Sequence, residues 1–424
     1  MTPDFELTTG QKQAMDMMAR VFKSRAPLVA ILTGYAGTGK TTLIKTIASV
    51  YGPPLILTPT GKAALRVQEA TGITASTIHR WMYHAVENQN SGEMEFKRKP
   101  SDLVERPTNG LVVVDEASMV GRDLWEDLWD VCLLLDLKLL MVGDTFQLAP
   151  IEAPNKEAFV VLKDVETDFR VALTEVTRQA LDNPVLRASM LLREQSLPHQ
   201  ALSLLPRVFN GSFDDKCLET YQKGGAIIVH KNDTRHRINA MLRERLGHGP
   251  EIVVGEPLLV LRNTYEIQRY NGEIVQYGGW QAEPERVLKV DDRFKHITLD
   301  LRFGVALIDG QRVMLCPEQV RGEASLMTEN VIGRQSRREY LDRYTTEEDD
   351  AARRNGERVE APPHLHSNFG YALTCHKSQG SEWNQVLVLV EPSTRYTTYE
   401  GRRWLYTAIT RAREKAYVCL GAPT

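Results

Sequence analysis

The chain has 424 residues, 42% hydrophobic and 25% charged, with a formal net charge of -3. At roughly 100–200 residues per domain, this is enough for two to four packed domains, and it excludes a disordered or fibrous chain. The slight negative charge excludes a polyanion binder that works by bulk attraction, so any nucleic-acid site has to be a local groove.

Cys132, Cys217, Cys316, Cys375 and Cys419 are scattered with no Cys-x-x-Cys pair. That argues against a disulfide framework and against a zinc site. The polar start, Thr2 to Glu6, does not look like a secretory leader, and no apolar run approaches the ~18 residues that span a bilayer. A reducing cytoplasm is the expected setting.

In chain order, short apolar runs at Leu28–Leu32, Leu55–Leu57, Leu111–Val114 and Leu139–Val142 alternate with helix-like stretches. This pattern predicts an α/β unit with a parallel sheet. Between Arg80 and Asn109 the chain turns polar around Asn90-Ser91-Gly92, which predicts a protruding β-hairpin. Runs at Ala226–Val229, Val386–Val390 and Ala416–Leu420 predict a second α/β unit. Strand-like pieces at Leu258–Leu261, Glu273–Tyr277, Arg286–Val290, His296–Leu301 and Arg312–Leu315 predict a small β-barrel inserted into it. A charged, helix-permissive appendage, Glu318 to Glu360, follows. His364 and His366 lack carboxylate company and sit by prolines, which favours a loop over a metal site.

Gly34-Tyr35-Ala36-Gly37-Thr38-Gly39-Lys40-Thr41 fits G-x-x-x-x-G-K-[ST] in full, after a strand and before the helix-like Thr42–Val50. Glycines let backbone N–H groups turn inward around phosphate oxygens, and the helix N-terminus adds a favourable dipole. Gly37, Thr38, Gly39, Lys40, Thr41 and Thr42 are thus the expected ATP-binding set, with Lys40 on the β/γ-phosphates and the Thr41 hydroxyl on Mg²⁺. Val112-Val113-Val114-Asp115-Glu116 is an apolar strand ending in two carboxylates. Asp115 is expected to hold the metal and Glu116 to orient the attacking water. Gln147, in Gly143-Asp144-Thr145-Phe146-Gln147, is the candidate γ-phosphate sensor.

Taken together, these residues resemble the superfamily 1 helicases of type B, the group of the phage Dda helicase and the RecD-type motor. Leu7-Thr8-Thr9-Gly10-Gln11 resembles the adenine-reading element, with Gln11 as the amide. Thr58-Pro59-Thr60-Gly61-Lys62-Ala63-Ala64 and Ala75-Ser76-Thr77-Ile78-His79 resemble strand-contacting motifs. Gly143–Pro150, Leu173–Gln179, Ala372–Glu382 and Tyr406–Ala412 resemble the third to sixth helicase motifs. The resemblance implies two RecA-like P-loop NTPase domains, with a pin hairpin in the first and an SH3-like barrel in the second. The expected boundaries are 1–175 with the pin at 80–109, then 176–250 with 364–424, and 251–363 for the barrel and appendage. It places Arg178 and Arg411 at the nucleotide, where an arginine can contribute ~10³–10⁵ in rate, and Glu382 at the ribose. Thr60, Lys62, Thr77, His79, Thr374 and His376 become candidate nucleic-acid contacts, Phe96 a face of the pin, and Trp81, Trp383 and Tyr406 candidate base stackers.

The function implied is an ATP- and Mg²⁺-dependent DNA helicase on single-stranded and forked DNA. It would act as a monomer in a bacterial or phage-infected cytoplasm, 5′ to 3′ by resemblance only, with replication or recombination proteins as candidate partners. A RecD-like motor subunit of a nuclease or repair complex is the first rival. The complete motor and the lack of a long N-terminal extension favour an autonomous enzyme. A nucleic-acid-binding ATP switch without unwinding is the second rival, and intact Lys40, Asp115, Glu116, Arg178 and Arg411 argue against it.

Overall fold

A computed structural model describes residues 7–87, 94–150, 159–175, 182–194, 198–292, 297–322, 355 and 362–421. The apolar runs of the first half become strands of one parallel sheet. These are β1 (Val29–Gly34), β2 (Leu55–Thr58), β3 (Ala75–Thr77), β6 (Leu111–Val114), β7 (Lys138–Gly143) and β8 (Arg170–Leu173), in the order β3-β2-β6-β7-β1-β8. The central strands are apolar throughout because helices cover both faces of the sheet, each with its own buried core. The half-exposed edge strand β8 had no such run to announce it.

Between β3 and β6, strands β4 (Tyr83–Glu87) and β5 (Met94–Arg98) pair antiparallel from Tyr83↔Arg98 to Glu87↔Met94. The expected turn, Asn90 to Gly92, lies outside the described residues. The base of this hairpin is tied to the helix Arg122–Leu134. The Tyr83 hydroxyl bonds Asp127, and Arg98 pairs with Asp127 at 2.5 Å and Asp130 at 3.2 Å.

The second parallel sheet contains β9 (Arg207–Val208), β10 (Ala226–Val229), β16 (Ala372–Thr374), β17 (Trp383–Val390) and β18 (Ala412–Leu420), ordered β16-β10-β17-β18-β9. Between β10 and β16 comes an antiparallel sheet of β11 (Pro257–Val260), β12 (Ile274–Asp292), β13 (Ile297–Ile308), β14 (Gln311–Leu315) and β15 (Ser367–Phe369). The two pieces predicted at Glu273–Tyr277 and Arg286–Val290 are one long strand, β12. Its pairing with β13 shifts register between Ala282 and Arg286, the stretch that holds Pro284. Proline donates no hydrogen bond and is tolerated at such a bulge.

The chain returning through 363–369 bonds to β14 at Met314 and then pairs with β11, which draws the two edges of the antiparallel sheet together. β15 belongs to this sheet, so the return to the second parallel sheet comes at Ala372. The insertion shares one core with that sheet, in which Leu258, Val275 and Val313 pack with Ile227, Val229 and Leu387. The appendage expected from Glu318 to Glu360 opens as a short helix, Pro317–Val320, and residues 323–354 and 356–361 of it lie outside the described residues.

Candidate nucleotide cleft and nucleic-acid groove

The helix Lys40–Tyr51 starts from Gly39 in the left-handed conformation, at φ 80°. A Cβ there would meet the Gln11 amide nitrogen at 2.6 Å, so only glycine lets the loop pass. Gln11 donates to the Thr38 carbonyl at 3.3 Å and accepts from the Thr8 N–H at 3.1 Å. It is thereby locked between the loop and the cap of the first helix, Thr9–Lys23. Lys40 Nζ donates to the carbonyls of Gly34 and Tyr35 at 2.8 and 3.0 Å. The ammonium is folded over the loop where phosphate oxygens would compete for it.

Beside the loop lies a cleft of about 360 Å³ lined by Thr41, Arg66, Asp115 and Glu116 from the first unit and Glu382 and Arg413 from the second. Burial first, then the adjoining Glu116 carboxylate, push Asp115 up to about 6. A divalent cation beside Thr41 and Asp115 would relieve both causes, so the donor set fits Mg²⁺. Glu116 sits at φ 54° and pairs with Arg66 at 3.4 Å. Arg66 also pairs with Glu382 at 2.6 Å, and Arg413 holds the other oxygen of Glu382 at 3.3 Å.

Contacts between the two units converge behind the phosphate loop. The Tyr406 hydroxyl donates to the Asp144 carboxylate and accepts from the Ala36 N–H at 3.1 Å. The Leu148 N–H donates to the Thr407 hydroxyl at 3.0 Å, and Arg403 donates to the Gln147 carbonyl at 2.5 Å. Phe146 and Leu148 are built into the core of the second unit. Gln147 is buried and its Oε1 lacks a hydrogen-bond partner.

A second groove, of about 250 Å³, gathers Thr60, Gly61, Thr77 and His79 from the first unit and His376, Lys377 and Gln379 from the second, with Asn263, Tyr270 and Asn271 from the antiparallel sheet. Thr60 and Thr77 each cap a helix, accepting from Ala63 N and Arg80 N at 3.3 and 3.1 Å. Burial lowers both His79 and His376, which favours their neutral forms. Tyr270 was not anticipated, because it follows Arg269 in a turn remote from every motif. Its ring lies so close to Gly61 that a Cβ there would approach to 2.2 Å.

Other expected residues fall elsewhere. Lys62 stands 5.7 Å from the Trp383 ring centroid and is lowered to about 8 by burial. Thr374 is buried at the end of β16. Arg411 is buried and does not line the cleft; its guanidinium donates to the Thr407 carbonyl at 3.1 Å, the Ser381 carbonyl at 3.5 Å and the Thr410 hydroxyl at 3.4 Å. Arg178 lies outside the described residues, as does the side chain of Phe96. Trp81 and Tyr406, expected as candidate base stackers, are both buried. Trp81 is core and donates to the Glu105 carbonyl at 2.8 Å, and Tyr406 is fully buried. His364 and His366 lie with ring centroids 4.2 Å apart, both held neutral by burial.

Residues 6–207 match the model of the AAA domain family, and residues 369–419 match the UvrD-like helicase C-terminal domain. The chain is 28% identical to the ATP-dependent RecD2 DNA helicase of Deinococcus radiodurans, over 92% of this chain and 46% of that one. It is 26% identical to the RecBCD enzyme subunit RecD of Mycobacterium tuberculosis, over 92% of this chain and 66% of that one. The chain therefore spans less than two thirds of the length of these relatives. Among solved structures, a Bacteroides Pif1 helicase in complex with ADP-AlF3 and ssDNA shares the fold, with a TM-score of 0.53 and 18% identity over 98% of this chain and 92% of that one. No helix among the described residues is long and apolar enough to cross a membrane. By its ordered motifs and its two matched domains, the chain resembles the superfamily 1 helicases of type B.

Proposed function

We propose that this protein is an ATP-dependent DNA helicase that moves along single-stranded DNA, 5′ to 3′ by resemblance, and opens the duplex ahead of it. The observation that carries this reading is that cleft and groove are both walled by the same two units. Closing one necessarily reshapes the other, so nucleotide turnover becomes movement along a polymer. One chain supplies both walls, which favours a monomeric motor.

Bound MgATP would supply the phosphoanhydride and a Lewis acid that neutralises charge on its oxygens. Lys40 would turn from the loop carbonyls to the β/γ-phosphates, Thr41 and Asp115 would hold the metal, and Glu116 would orient the attacking water and accept its proton. The buried, unpartnered Oε1 of Gln147 suits an orienting role, and Arg178 and Arg411 are assigned to the transferring phosphoryl group. Arg411 has to leave the carbonyls of Thr407 and Ser381 as the cleft closes. Gln11 and Glu382 are assigned to adenine and ribose.

In the groove, Thr60, Thr77, His79 and His376 would follow the backbone, with Lys62 and Thr374 assigned to contacts beside it, while Tyr270 offers a ring for stacking. The reading divides the chain into RecA-like domains at 1–175 and at 176–250 with 370–424, an SH3-like insertion at 251–369, and a pin at 80–109 carrying Phe96.

The test is ATP hydrolysis with and without a dT oligonucleotide, paired with strand separation on forks bearing a 5′ or a 3′ tail. Stimulated hydrolysis with opening from the 5′ tail is expected, and Lys40→Ala and Glu116→Gln should both be inactive. Hydrolysis indifferent to DNA refutes the motor. Stimulation without opening by the purified chain favours a RecD-like subunit.

A further inference from the structure

The cleft and the groove meet along one helix. Gly61–Thr71 begins at Thr60, whose hydroxyl caps it, and Pro59, Thr60 and Gly61 line the groove. One turn on, Ala63, Arg66, Val67 and Ala70 line the cleft. Residues three and four apart share a helix face, so a single rigid stripe joins the two sites. At its cleft end Arg66 bridges Glu116, the proposed base, and Glu382 of the second unit, at 3.4 and 2.6 Å. At its groove end the helix is pressed by the Tyr270 ring against Gly61, and Gly380 of the second unit sits against Thr60 and Ala63.

We propose that Arg66 is a positioning residue that restrains Glu116 until DNA enters the groove, with the helix Gly61–Thr71 carrying the signal. Resting on the helicase reading, this deepens it by naming how the polymer regulates the nucleotide site. With the groove empty, the guanidinium holds the Glu116 carboxylate and ties it to the opposite wall through Glu382. A strand seated against Thr60, Tyr270 and His376 displaces the start of the helix relative to the second unit. That movement draws Arg66 away from Glu116 as well as from Glu382 and so frees Glu116 to orient water. The chain of charges Glu116–Arg66–Glu382–Arg413 fits this role, because it crosses between the units and contains the base itself.

The test is steady-state hydrolysis by the full chain and its Arg66→Gln and Arg66→Lys variants, with and without a dT oligonucleotide. In Arg66→Gln the DNA-free kcat should rise about threefold, the size of one half-exposed ion pair. The ratio of stimulated to basal rate should fall by the same factor, with KM for ATP little changed. Arg66→Lys should restore most of the ratio. A loss of both rates at constant ratio, or a raised KM, overturns the proposal and makes Arg66 a nucleotide contact instead. Absence of stimulation in the parent chain overturns the helicase reading itself, which separates the two failures.

Discussion

Removing the phenol oxygen of Tyr406 isolates the tie between the phosphate loop and the second unit. In Tyr406→Phe the ring keeps its edge-on contact with Phe146, at 5.2 Å between centroids, so the perturbation is a single atom. Two groups lose a partner: the fully buried Asp144 carboxylate and the Ala36 N–H. A hydrogen bond to a charged group contributes about 1.5–3 kcal/mol, and the half-buried Ala36 N–H, which water can partly reach, adds less than the ~1–3 kcal/mol of a fully buried unpaired donor. A loss of about 3 kcal/mol is expected, read as a lower urea midpoint.

The pH dependence of that loss has a definite sign. Burial raises Asp144, while Lys40 and the Tyr406 hydroxyl pull it down. Without the hydroxyl it rises further, so the native variant takes up a proton at higher pH than the parent does. The variant therefore regains relative stability as pH falls. Hydrolysis should persist while ATP consumed per base pair opened increases, because the loop no longer pulls directly on the second unit. Equal midpoints at pH 7.5, or a gap that widens on acidification, would refute the reasoning.

The cleft and the groove can be probed independently. Because Asp115 is held up to about 6, it must lose a proton before it can bind metal. Apparent Mg²⁺ affinity in hydrolysis should fall about tenfold per pH unit below that value; a flat profile down to pH 5 contradicts the assignment. Tyr270→Ala should weaken binding of a dT oligonucleotide by about 1–3 kcal/mol in an anisotropy titration, and Tyr270→Phe should restore it. Unchanged affinity in the alanine variant removes Tyr270 from the groove. Opening one duplex step requires about 1.4 kcal/mol, so a wedge need only prevent reclosure. Shortening residues 88–94 should reduce fork opening far more than DNA-stimulated hydrolysis, and proportional losses would rule out a pin.

The phosphate loop was legible because its chemistry is local: consecutive backbone N–H groups, one lysine and one threonine must be adjacent in sequence to surround a phosphate. The apolar strands were legible because a sheet covered on both faces needs unbroken apolar runs. Aromatic roles were not, since Trp81 and Tyr406 differ from an exposed ring only in what the rest of the chain lays over them. Arg413, not Arg411, reaches into the cleft, a distinction set by how β18 leaves the helix Tyr399–Ile409. Tyr270 and Arg66 were missed for the same reason. Each touches a residue distant in sequence, Gly61 for the one and Glu382 for the other, and no spacing rule links them.

The placement of β10 has a consequence for synthesis of the chain. Its register partners are Ala372–Thr374 on one side and Val386–Val388 on the other, roughly 140 residues or more further along. As the chain leaves the ribosome, Ala226-Ile227-Ile228-Val229 has to wait, apolar and without neighbours on either side, until the whole antiparallel insertion has been made. A segment of that kind invites aggregation and chaperone capture. Truncation before Ala372 should therefore yield insoluble protein, even though the first sheet is complete by Leu173.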